Sequence, residues 1–231
     1  MGFFNMNYLL FMIPGFLLSI IASFAVRSAY SKWSQVRNSQ DATGLDVARL
    51  LKERNGLDNL QLVQTQGTLS DHYDPRNQTL ALSEGVATQA SVAAMAIAAH
   101  ELGHAMQEKN NYGPMKLRRA IVPVVNIGSS LGMILVMAGL FLRLTGLTTI
   151  GIILFASTTL FSLITVPVEL DASRRAKAML EESMFIRSDE ERKGVKKVLN
   201  AAAWTYVAGL VTSILQLMYY ISLVGGGRRR S

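Results

Sequence analysis

The residues best equipped for chemistry lie in one short run, Ala98-Ala99-His100-Glu101-Leu102-Gly103-His104-Ala105-Met106. An α-helix turns once in about 3.6 residues, so His100 and His104 fall on one face. Two imidazoles one turn apart can ligate a single Zn²⁺. Glu101 then stands beside the metal, placed to take a proton from an attacking water. Residues 92–99 are strongly apolar, so the helix is expected to be buried. Charged side chains are seldom fully buried unless paired or ligating. The plainer reading is two core histidines, with Glu101 paired to a Lys or Arg. Against it, the chain has 3 histidines, and two of them fall at the ligating spacing around a glutamate.

A catalytic zinc usually has three protein ligands and one open position. The chain has no cysteine, which leaves His, Asp and Glu as donors. His72 sits among turn formers in residues 67–77, and a lone loop histidine is more often structural. It could still donate a hydrogen bond to a tetrahedral oxyanion. A carboxylate is therefore the expected third ligand, and Glu169 is the candidate. If Glu169 opens a helix, Ala172, Ser173 and Ala176 share its face. That face is small, and so is Gly103 on the first helix, so the two helices could approach closely. Asp171 lies roughly 200° round from Glu169 and is expected to support the site from behind. In the competing reading, Glu169 pairs with Arg174 or Arg175. Either arginine could instead steady an oxyanion.

Half the residues are hydrophobic and 17% are charged, against about 25% charged in soluble domains. That shift points to a membrane. Four apolar stretches, about 8–26, 121–142, 147–168 and 201–224, are long enough to cross a hydrocarbon core of about 30 Å. The fourth is the weakest, because it carries Gln216 and Tyr219-Tyr220. No charge precedes Arg27, so the first stretch reads as an uncleaved membrane helix rather than a signal peptide. The second contains Gly128-Ser129-Ser130-Leu131-Gly132, a pattern suited to close packing. Arg143-Leu144-Thr145-Gly146 joins it to the third as a hairpin.

The net charge of +7 is not taken as a sign of nucleic acid, since the basic residues border apolar spans. The polar segments 27–120 and 169–200 hold 11 and 8 of the 23 Lys and Arg. The positive-inside rule places both at the cytoplasmic face. The tail Gly225-Gly226-Gly227-Arg228-Arg229-Arg230-Ser231 reads as flexible. Its arginines would then lie outside, unless the last apolar segment is re-entrant or interfacial.

Within 27–120, residues 41–55 read as an amphipathic helix stopped by Gly56. Residues 60–63 and 79–82 read as short strands. The second, 78–82, could be an edge open to an extended peptide or an ordinary sheet strand. Ser91 or Thr88 starts the metal helix, and Gly113-Pro114 is its stop signal. Ser188-Asp189-Glu190-Glu191 has the form of a capping box.

The run Ala98 to Gln107, with Leu69-Ser70-Asp71-His72-Tyr73-Asp74-Pro75-Arg76 and Val166-Pro167-Val168-Glu169-Leu170-Asp171-Ala172-Ser173-Arg174-Arg175-Ala176, resembles the YugP-like family of bacterial membrane-bound neutral zinc metallopeptidases. The order of these motifs and the apolar segments between them match over nearly the whole chain. In that family Glu169-Leu170-Asp171-Ala172 corresponds to the downstream acidic motif, so the resemblance points to Glu169 as well.

The expectation is a mainly α-helical integral membrane protein forming one membrane-embedded peptidase domain over 1–231. It would have about four spans and a small α+β zincin-like part at the cytoplasmic face of the cell membrane. It would bind Zn²⁺ and hydrolyse peptide bonds in membrane proteins or unfolded segments near the lipid bilayer, with no nucleic-acid partner. Two other classes stay open: a zinc-stabilised membrane scaffold or chaperone without turnover, and a zinc hydrolase of a non-peptide substrate.

Overall fold

The computed structural model describes Met6–Gly227, so the Arg228–Arg230 tail lies outside the described residues. Its elements in order are α1 (Met6–Trp33), α2 (Gly44–Arg54), β1 (Gln61–Thr65), β2 (His72–Asp74), β3 (Thr79–Ser83), α3 (Glu84–Thr88), α4 (Val92–Lys109), α5 (Gly113–Phe141), α6 (Thr145–Glu182) and α7 (Asp189–Gly227). The chain packs as two compact units. One comprises the described residues up to Ala22, Lys116–Val166, and the residues from Thr205 on. The other comprises Ser23–Met115 and Pro167–Trp204.

The first unit is helical and apolar. Among the described residues, four helices, which run on into the second unit, are long and apolar enough to cross a membrane: Tyr8–Trp33, Gly113–Phe141, Thr145–Glu182 and Asp189–Val224. Between helices in lipid, small residues permit the close backbone contact that supplies attraction. The α5–α6 hairpin shows this directly. A Cβ on Gly132 would stand 2.7 Å from the Phe155 nitrogen, and one on Gly151 would stand 2.5 Å from the Val136 nitrogen. Val136, Ile152, Phe155, Tyr219 and Tyr220 form the unit's core.

The second unit holds the sheet and α4. Its core gathers Trp33, Val47, Leu51, Leu80, Leu82, Val92, Met95, Leu102, Leu180 and Leu199. The sheet order is β1-β3-β2. β1 runs parallel to β3 (Gln61↔Thr79 to Thr65↔Ser83) and β2 antiparallel to it (His72↔Ala81). This corrects the edge-strand expectation for 78–82, because β3 is the central strand. Leu80 to Ser83 are all buried, as in a strand covered on both faces. The edges are β1 and β2. His72 likewise lies in a strand rather than a loop.

Local signals set the helix starts. Thr43 caps α2: its hydroxyl accepts from the Asp46 N–H, while Asp46 accepts from the Thr43 N–H. Ser91 caps α4, accepting from the Ala94 N–H at 3.1 Å. That helix ends at Lys109, and Gly113-Pro114 opens α5 instead of marking the stop, since proline suits a helix's first turn. Ser188 and Glu191 form the expected capping box at α7, at 3.1 and 2.9 Å. Two helices run further than the hydropathy breaks imply. α6 passes through Pro167 to Glu182, and α7 continues from its charged start into the apolar stretch. One proline costs a helix about 3 kcal/mol, and the faces buried on either side of it outweigh that.

Candidate metal centre

The two stretches that form the site, α4 and the part of α6 from Pro167 on, both belong to the second unit. α4 presents His100 and His104 on one face, and α6 presents Glu169. The contact depends on missing side-chain volume: a Cβ on Gly103 would lie 2.5 Å from the Ala172 carbonyl oxygen. Ala172 and Ala176 are wholly buried, and Ser173 nearly so. The small faces anticipated around Glu169 and Gly103 are thus packed together.

Glu169 is 2% exposed, His100 9% and His104 7%. One oxygen, Glu169 Oε2, lies 3.3 Å from His100 Nε2 and 3.4 Å from His104 Nε2. The three ligand atoms lie within 4.8 Å of one another. A tetrahedral ion with bonds of about 2.1 Å holds its ligand atoms about 3.4 Å apart. A direct charge-assisted N–H···O bond would be shorter, at about 2.7–2.9 Å. The spacing therefore suits an ion shared by the three groups better than a plain ion pair, and two imidazole nitrogens with one carboxylate oxygen make a donor set that zinc accepts. Burial disfavours charge on His104. The Glu169 carboxylate, and then Glu101, nonetheless hold its pKa above the ordinary histidine value. The pocket thus has negative charge to offer a cation. Glu101 itself is half-buried.

The outer ring nitrogens are also engaged. His100 Nδ1 lies 3.2 Å from Ser173 Oγ, and His104 Nδ1 lies 3.0 Å from Gln107 Oε1. Gln107 is fully buried. Its amide donates to the Val168 carbonyl (2.7 Å) and to Asp171 Oδ2 (3.0 Å). Asp171 thus reaches the site through Gln107. Neither Gln107 nor Ser173 stood out in the sequence as a site residue. The available signal was spacing, three residues after His104 and four after Glu169.

Arg174 and Arg175 do not pair with Glu169. Both bond Asp171, Arg175 through Nε at 2.6 Å, and Arg175 also lies over the Tyr112 ring at 5.7 Å. His72 is exposed, outside the cluster of His100, His104 and Glu169. Its Nδ1 lies 2.8 Å from the Ser70 carbonyl, which can only accept. That nitrogen therefore carries the proton, and a neutral His72 has no Nε2–H to offer an oxyanion.

A chain with long apolar helices, and with a His₂Glu cluster completed by Glu169 beside a His-Glu-x-x-His helix, has the form of a membrane-bound zinc metallopeptidase. Residues 8–225 match the family described as "Putative neutral zinc metallopeptidase", and the chain belongs to that family. It is also 43% identical over 211 residues to "Putative membrane protease YugP" of Bacillus subtilis (strain 168), covering 91% of this chain and 93% of that protein. No solved structure matches it.

Proposed function

We propose that this chain is a zinc-dependent metalloendopeptidase of the cell membrane, with His100, His104 and Glu169 holding the metal. The observation that carries this reading is the spacing of those three buried groups around one point. When bound, Zn²⁺ lowers the pKa of water and polarises a carbonyl. Glu101 takes the proton of the attacking water and returns it to the leaving amine as the peptide bond breaks. Gln107 and Ser173 orient the two imidazoles, and Asp171 anchors Gln107.

The four long apolar helices and the Lys/Arg bias support a multi-pass protein whose site faces the cytoplasm. The substrates would be membrane proteins or unfolded segments near the bilayer. An extended segment could add to a free sheet edge, β1 or β2. A non-peptide substrate would make no use of such an edge. A scaffold without turnover has no need of a glutamate between the histidines, so Glu101 separates that reading from the enzyme.

The test is zinc content and proteolysis of the purified chain beside Glu101→Gln. The expected result is about one Zn²⁺ per chain in both, with turnover reduced by at least about 10²–10⁴-fold in the variant. Near-normal turnover in the variant would sink the catalytic assignment. A chain that takes up no zinc even after loading would sink the whole reading.

A further inference from the structure

We infer that Gln107 is a positioning residue that fixes the tautomer of His104, and that Asp171 acts on the metal centre through it. The inference rests on reading the His100–His104–Glu169 cluster as a metal site, but not on any turnover there. An amide has one acceptor end and one donor end, and its neighbours decide which way it points. Gln107 is wholly enclosed. On the α6 side it meets the Val168 carbonyl at 2.7 Å and Asp171 Oδ2 at 3.0 Å. Both are acceptors, so its NH₂ must face them.

The carbonyl oxygen of Gln107 therefore faces His104 Nδ1, at 3.0 Å. An oxygen there needs a hydrogen from the ring. Nδ1 carries the proton, and the lone pair is left on Nε2, the atom directed at Glu169 Oε2. That is the tautomer a metal requires. The free imidazole has no such constraint. Orientation by a hydrogen-bonded partner behind the ligand is commonly worth 10–100-fold in metal affinity.

His100 is held differently. Its Nδ1 faces the Ser173 hydroxyl at 3.2 Å, and a hydroxyl can donate or accept. Ser173 is therefore compatible with either tautomer, whereas Gln107 admits one. The arrangement also accounts for Asp171, which is 4% exposed and is not in the cluster. Held by Arg174 and Arg175, it presents the acceptor that sets the amide.

The chain has 3 histidines, so selective ¹⁵N-imidazole labelling of the full-length protein in detergent gives a readable spectrum. The His104 signals are assigned by their loss in His104→Gln. In metal-free wild type, at a pH where the ring is neutral, long-range ¹H–¹⁵N couplings should show His104 protonated at Nδ1. Gln107→Met keeps the side-chain bulk but removes all three hydrogen bonds. It should move His104 toward a tautomer mixture and weaken Zn²⁺ binding, read by chelator competition, about 10–100-fold. Finding the Nε2–H form in wild type overturns the inference, and needs no variant to fold. So does Gln107→Met with an unchanged tautomer and zinc affinity within threefold of wild type.

Discussion

Glu169 and Asp171 are two residues apart on α6, both carboxylates and both nearly buried, yet their surroundings give them different work. Glu169 faces two imidazoles across gaps of 3.3 and 3.4 Å. Asp171 faces two guanidiniums and an amide. Removing a ligand takes one donor from a set of three, while removing the residue behind it leaves the donors in place but less well aimed. Glu169→Ala should therefore abolish stoichiometric Zn²⁺ binding. Asp171→Ala should retain the metal with affinity lowered about 10–100-fold. Chelator-competition titrations of the two variants make the comparison, and the assignment is wrong if Asp171→Ala strips the metal while Glu169→Ala keeps it. The reading that paired Glu169 with Arg174 or Arg175 gives way because both arginines bond Asp171, which lies about one turn before them on α6.

At the scale of elements, the contact between α4 and α6 sets the site's dimensions. Gly103→Ala would place a methyl 2.5 Å from the Ala172 carbonyl, far inside ordinary contact. The helices would have to part, and overpacking of this kind costs about 1–3 kcal/mol. A lowered melting temperature together with weakened zinc binding is expected, and unchanged values for both would show that the contact is slack. The start of α2 offers a pH test. Hydrogen bonds from the Thr43 hydroxyl and N–H hold the Asp46 pKa below its ordinary 3.8. A carboxylate with a depressed folded-state pKa contributes stability above its unfolded value and loses it as pH falls through the folded one. The carboxylate is largely exposed and screened by solvent, so Asp46→Ala should cost a few tenths of a kcal/mol, at most about 1, at neutral pH, with the difference closing as pH falls from near 3.8. A gap that persists in strong acid would contradict the cap's role.

These elements also show what the sequence could and could not reveal. The caps at Ser91 and Ser188 were legible because a cap involves residues three apart, while the Thr43 cap went unread although it has the same spacing. The His100–His104 pair was legible for the same reason, and the small faces of Gly103 and Ala172 were open to the same periodic argument. β2 was hidden because Asp71-His72-Tyr73-Asp74-Pro75 has the composition of a turn, and only pairing with β3 makes it a strand. The central place of β3 depends on β1, 18 residues earlier in register. Gln107 takes on its role only when α6 arrives, from more than 60 residues away.

At the scale of the whole molecule, the proposed orientation puts the candidate metal centre at the cytoplasmic face. The polar segments 27–120 and 169–200 hold 19 of the 23 Lys and Arg. Positive charge near span ends is retained on the cytoplasmic side during insertion. The two segments flank a hairpin of two apolar helices, so one bias constrains both. In the proposed multi-pass topology they lie on the same side, as the joint contribution of α4 and α6 to one cluster also requires. A site in the cytoplasm would meet proteins before or during insertion, whereas an outward site would meet secreted ones. Absence of cysteine makes the measurement clean, because one introduced thiol is then the only target. Ser39 suits the purpose, being exposed and in the polar segment after α1. In intact cells, Ser39→Cys should resist a membrane-impermeant maleimide and react fully once the membrane is opened. Labelling from outside in intact cells would reverse the orientation and move the expected substrates to the other face.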